Sequence, residues 1–194
     1  MKKILVALAL AAVSTTASAA IAAGSHDLRT APYNGSLPAC QYCHAPHVWV
    51  AANESGGPLW NRNITAQTAY TVYTSTGFTS TVTMGVASRA CLSCHDGSST
   101  LNSVNNGSGT MATTAIAAFG VGTDLRDDHP VGVTYVTGTY YKPIAGVTTE
   151  VILYAGRVEC ATCHDPHSLS DGAASGTVFA RWTSGDLCAI CHSK

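Results

Sequence analysis

Charge is scarce in this chain. Of its 194 residues only 11% are Asp, Glu, Lys or Arg, against about a quarter in ordinary globular chains. No stretch gathers basic residues into a cluster, which removes the electrostatic footprint on which nucleic-acid binding depends. Long apolar runs are missing as well. The run from Ile4 to Val13, behind Lys2 and Lys3, is too short to span a bilayer, and no stop-transfer segment follows it. Residues 1–22 therefore read as a cleaved secretory leader, with Ala-x-Ala patterns ending at Ala19 and Ala22. No cysteine lies near that cleavage region, which argues against a lipid-anchored lipoprotein. Without Lys2 and Lys3 the chain keeps eight basic and eleven acidic residues, a net charge of −3.

What the sequence does hold is cysteine in a strict arrangement. In an oxidising compartment an even number of cysteines first suggests disulfides, here four. The spacing argues otherwise. All eight fall into Cys-x-x-Cys pairs, Cys40 and Cys43, Cys91 and Cys94, Cys160 and Cys163, Cys188 and Cys191, followed at once by His44, His95, His164 and His192. With histidine at roughly 4% of residues, four such coincidences arise by chance on the order of a few times in a million. Cys-x-x-Cys-His is the attachment signature of c-type heme. Two thiols three positions apart on a helical turn point the same way and each bond a heme vinyl group, while the next residue turns its imidazole onto the iron. A structural zinc site needs no histidine at that fixed offset. The expectation is four covalently bound heme c groups.

Four histidines remain, His26, His47, His129 and His167, one for each motif. That count is what bis-histidine ligation of every iron requires. Met84 and Met111, the other candidate axial ligands, sit in Thr- and Gly-rich stretches that favour loop or packing roles. In "CHAPH" His47 follows His44 by three residues, too close to pass round to the opposite face of the same ring, so it must serve a different heme. Pro46 turns the chain out of the helical turn and aims His47 outward. "CHDPH" repeats the device with His164, Pro166 and His167. Taking the next motif as the shortest connection assigns His47 to the heme of Cys91 and Cys94, and His167 to that of Cys188 and Cys191.

The same parts recur along the chain. His26 beside Asp27 precedes "CQYCHAPH" and "CLSCH", while Asp128 beside His129 precedes "CATCHDPH" and "CAICH". This divides the mature chain into a first diheme half at 23–101, a polar linker at 102–122 and a second diheme half at 123–194, together one compact heme domain. Little regular structure is expected: short helices at the motifs, and a few short strands in "TAYTVYTSTGFTSTVTM", "VGVTYVTGTYY" and "EVILYAGRV". About 174 residues shared by four hemes leave little room for a protein-only core, so the hemes form it, with Trp49, Trp60, Trp182 and the tyrosines packed beside them. By the repeat, His26 stands to the first half as His129 stands to the second. If His129 reaches back to the first half, His26 is expected to ligate a heme of a neighbouring subunit; the competing reading turns it back to the heme of Cys40 and Cys43.

Beyond the motifs, "SHDL", "PLWNR", "CLSCHDG", "DLRDDHPVGVTY", "GRVECATCHDPH" and "CAICHSK" resemble the OmcE-type tetraheme c-type cytochromes over most of the mature chain. That resemblance implies a multiheme cytochrome fold and a head-to-tail homopolymer, secreted through the periplasm as an extracellular, electron-conducting filament. It also implies that one axial histidine comes from an adjacent subunit. Redox partners or extracellular electron acceptors complete the expected partner set. An iron with two imidazole ligands has no open position, and no carboxylate pair, Ser-His-Asp set or lysine-ligated heme is recognisable, so enzymatic activity is not expected. A soluble periplasmic tetraheme shuttle is the alternative, although sparse charge favours association over electrostatic steering.

Overall fold

Each Cys-x-x-Cys-His motif closes one helical turn. The computed structural model describes residues 21, 24–30, 32–45, 59–75, 81–98, 103–107, 120–148, 151–168, 179–181 and 187–193. In chain order the regular elements are a 3-10 turn Ala39–Tyr42, a second at Gln67–Ala69, helix α1 Val86–His95, strand β1 Val133–Thr134, helix α2 Ile144–Val147, strand β2 Arg157–Val158, helix α3 Cys160–Cys163 and helix α4 Cys188–Cys191. In three motifs the histidine amide donates to the carbonyl of the first cysteine, His44 at 2.8 Å, His164 at 3.0 Å and His192 at 2.9 Å, and the fourth histidine, His95, ends α1.

The helical turn divides labour within each motif. Residues i and i+3 share a face, and residue i+2 points nearly opposite. The cysteines at i and i+3 share one side of the turn, exposed at Cys40 and Cys188 and half-buried at the other six, and the residue just before the second cysteine is buried: Tyr42 is 2% exposed, Ser93 1%, Thr162 1% and Ile190 8%. Two small apolar clusters stand behind these turns. One gathers Tyr70, Tyr73, Val82, Met84, Leu92 and Leu125 against α1. The other gathers Tyr135, Val147, Val151 and Ile190 behind α4. Met84 thus has the packing role its sequence context suggested.

The expected strands shrink to short pieces. Antiparallel β1 and β2 pair Val133 with Val158 and Thr134 with Arg157. The run before β2 closes on a two-residue turn, with Tyr154 and Arg157 exchanging backbone hydrogen bonds at 3.0 Å each. Ala155 and Gly156 between them have φ of 52° and 74°, the paired positive values of a type I′ hairpin. The Thr-rich run at 68–84 forms no ladder among its described residues; Thr71 makes one parallel bridge to Asp124. Within the expected linker, Asn105 and Asn106 are tied to the first motif: Asn105 N donates to Asn61 O at 2.8 Å and Asn106 N to Asn61 Oδ1 at 2.7 Å. Residues 108–119 lie outside the described set.

Candidate functional site

One backbone clasp holds three of the four motif histidines. On either side of His44, Ala45 N donates to Leu59 O and Asn61 N to Cys43 O, both at 2.8 Å. At His164 the same pair runs from Asp165 N to Phe179 O at 2.7 Å and from Arg181 N to Cys163 O at 2.8 Å. At His192 it runs from Ser193 N to Tyr140 O at 3.0 Å and from Lys142 N to Cys191 O at 2.8 Å. Trp60, Ala180 and Tyr141 are the residues bridged to the three histidines. Peptide groups flanking the imidazole on both sides fix where its ring points. Leu59 and Phe179, which close the first two clasps, have φ of 50° and 58°. Each stands sixteen positions after the second cysteine of its motif, so the clasp repeats in both halves. That shared spacing is the sequence signal for it, since the halves otherwise differ in spacing.

The structure then brings histidines together in pairs. His26 and His95 have ring centres 6.1 Å apart, His44 and His167 6.0 Å, and His129 and His192 6.5 Å. Two imidazoles on opposite sides of one iron need about 6 Å between ring centres: two metal–nitrogen bonds of about 2 Å, plus about 1 Å from each nitrogen to its ring centre. Each pair joins one motif histidine to one spare histidine, so the residues fit bis-histidine heme c.

These pairings differ from the expected ones. His167 lies against His44 of the first motif, not against the last motif, because "CHDPH" aims it across to the other half. His26, expected on a neighbouring subunit, is packed inside its own chain, stacked on Phe179 with ring centres 4.6 Å apart and planes 5° apart. Its ring faces His95, of the motif of Cys91 and Cys94. The Asp27 and Asp128 equivalence also shifts. What repeats is an Asp-Leu-Arg turn: Arg29 Nε and Nη2 donate to the two Asp27 carboxylate oxygens at 2.7 and 2.8 Å, and Arg126 to Asp124 at 2.8 and 2.6 Å. His47 lies outside the described residues, as do Trp49, Met111 and Trp182.

None of the eight cysteines, all described, is in a disulfide. Burial pushes the Cys43 thiol up to about 12 and Cys163 to about 11. Burial therefore keeps both thiols neutral. The motifs neighbour one another in chain order. Cys94 stands close enough to Cys43 to oppose its ionisation, Cys160 is tied by its amide to Ser88 one turn before Cys91, and Cys188 and Cys191 act on Cys163 as Cys94 does on Cys43. Two buried charged residues sit at these joints. Arg62, 1% exposed, donates from Nε and Nη2 to Ser93 O, each at 3.3 Å. Glu159, also 1% exposed, binds the start of α1. Sequence reading had singled out neither for a role.

His26 is half-buried beside other histidines. Burial, then the nearby His95, His167 and His164, lowers its pKa to about 4 and keeps its ring neutral, the form that binds metal. Among the described residues no helix is long and apolar enough to cross a membrane. Comparison with protein-family models and with curated proteins found no match to this chain.

Proposed function

We propose that this chain is an electron-transfer protein that carries four covalent c-type hemes, each closed by two histidines. The observation that carries this reading is the set of three ring pairs at 6.0 to 6.5 Å, each joining a motif histidine to a spare one. Bound heme c supplies one-electron iron chemistry, at low potential when both axial ligands are imidazoles. The chain's own residues provide attachment, ligation and spacing. The cysteine pairs hold the four groups in a row, in chain order. His44 with His167, His95 with His26, and His192 with His129 supply three ligand sets. By count, His47 falls to the iron of His164, the mirror of His167 falling to that of His44. Two imidazoles per iron leave no position for a substrate, so the role is electron transfer without catalysis. The test is heme content and spin state of the purified protein. Four covalent, low-spin hemes that bind neither cyanide nor carbon monoxide are expected; a high-spin signal from the wild-type protein overturns the reading.

We further infer that the protein is secreted and assembles with itself into an extracellular filament that delivers electrons to an external acceptor. Resemblance to the OmcE-type cytochromes supports this, and so does a surface with too little charge for electrostatic steering. The position of His26 beside His95 favours a ligand used within its own subunit over one exchanged between subunits. Electron microscopy of the secreted fraction tests the assembly: filaments are expected, and a monomer confined to the periplasm would indicate a shuttle.

A further inference from the structure

We propose that Glu159 is a positioning residue whose single buried carboxylate fixes the second and third heme-bearing turns against each other and holds down the reduction potentials of those two hemes. The inference rests on the four-heme reading above. Glu159 stands just before Cys160, at the N-terminus of α3, and turns its side chain onto the start of α1. Its Oε1 accepts from Gly85 N at 2.8 Å and its Oε2 from the Ser88 hydroxyl. Ser88 Oγ in turn accepts from Cys160 N at 2.9 Å. Within its own turn, Glu159 completes a reciprocal cap with Thr162: Glu159 N donates to Thr162 Oγ1 at 2.9 Å, and the Thr162 amide donates back to the Glu159 side chain. One carboxylate therefore engages both heme-bearing helices at their N-terminal ends.

The consequence reaches the cysteines directly. Ser88 lies one helical turn before Cys91 and on the same face, so a strap at Ser88 sets the position of Cys91. Ser88 also takes the amide of Cys160, which places the cysteine pairs of the second and third motifs side by side. Both carboxyl oxygens accept hydrogen bonds, the arrangement that suits a carboxylate, and the group sits directly before Cys160. A buried anion favours the more positive, oxidised state of a neighbouring redox site. Two unit charges about 10 Å apart at an effective dielectric near 20 interact strongly enough to change an equilibrium by roughly tenfold.

Glu159→Gln in the full heme-loaded protein, with potentials followed heme by heme in a spectroscopic redox titration, is the test. Two of the four potentials are expected to rise by about tenfold in the reduction equilibrium, ~59 mV for a one-electron couple, with the other two unchanged. Glu159→Asp, which keeps the charge, is expected to leave the potentials close to those of the unchanged protein. Four unchanged potentials, or four equal shifts, overturn the inference. If the Gln variant yields no heme-loaded protein, Ser88→Ala decides: it keeps the charge but releases one arm of the strap, so the paired-heme exciton signal in the Soret circular dichroism must weaken, and an unchanged signal overturns the positioning role. Protein lacking four low-spin hemes would instead sink the underlying functional reading.

Discussion

Removing His167 should open the iron of the first motif, although His167 directly follows the third. The ring of His167 lies 6.0 Å from that of His44, with planes 20° apart, the separation that one iron between them requires. Its side chain is 52% exposed, so truncation to alanine should change packing by no more than about 0.5 kcal/mol apart from the lost ligand. The expected outcome is an intact fold with one of four irons high-spin, and carbon monoxide binding to one quarter of the heme. Identifying which iron opens needs a second change. In a background where Cys188→Ser and Cys191→Ser remove the fourth heme, His167→Ala should still open one of the three remaining irons, and His129→Ala should open none. If His167→Ala is silent in that background, His167 serves the last motif, and the reading of ring-centre distances as ligand pairs fails.

Backbone strain at the clasp gives a stability prediction. Leu59 is 55% exposed with φ of 50°, so Leu59→Gly should stabilise the fold by up to about 1 kcal/mol in denaturant unfolding, whereas Leu59→Val should destabilise it. Gly132 has φ of 74°, and a Cβ there would stand 2.7 Å from Met84 N, so Gly132→Ala should cost more than about 1 kcal/mol. The pH dependence follows from His26. Its folded pKa of about 4 lies below the ordinary 6.5, so the unfolded chain binds the proton first as pH falls. Stability should then drop as pH falls below about 6.5, and an iron held by the neutral ring would extend that fall to lower pH; His26→Ala should lose that slope, and stability rising with acidification would contradict the burial of His26.

The four Cys-x-x-Cys-His turns were legible because everything that defines them lies within five residues. The histidines that face them were not, because His44 and His167 are 123 positions apart and no local pattern encodes which motif a distant histidine meets. Sequence proximity pointed to the next motif for both outward-aimed histidines. The geometry of His167 instead follows the crossing of the two halves, which the clasp at Phe179 and Ala180 helps to set. The strands were overestimated for a related reason: Thr-, Val- and Tyr-rich runs have strand propensity, but propensity without a partner ladder leaves extended chain. Tyr70 and Tyr73 spend their burial on the cluster behind α1, not on sheet pairing. Glu159 escaped notice because nothing in "GRVECATCH" marks a glutamate as buried.

The division into two diheme halves survives in the repeat of the clasp but not as a boundary between independent units. The first half holds Cys40, Cys43 and His44, and the ring that faces His44 belongs to the second half. The second half begins its first motif at Cys160, and the amide of that residue is held by Ser88 of the first half at 2.9 Å. Two kinds of contact thus cross between the halves, a pair of facing histidine rings at one joint and a buried carboxylate strap at another. Contacts of that kind resist separation in different ways. The strap depends on hydrogen bonds at a buried carboxylate, whereas the ring pair, on the proposed reading, depends on an iron that both histidines would share. With so little apolar side chain available, the two clusters behind α1 and α4 secure single turns, and it is these crossing contacts that set the motifs in order.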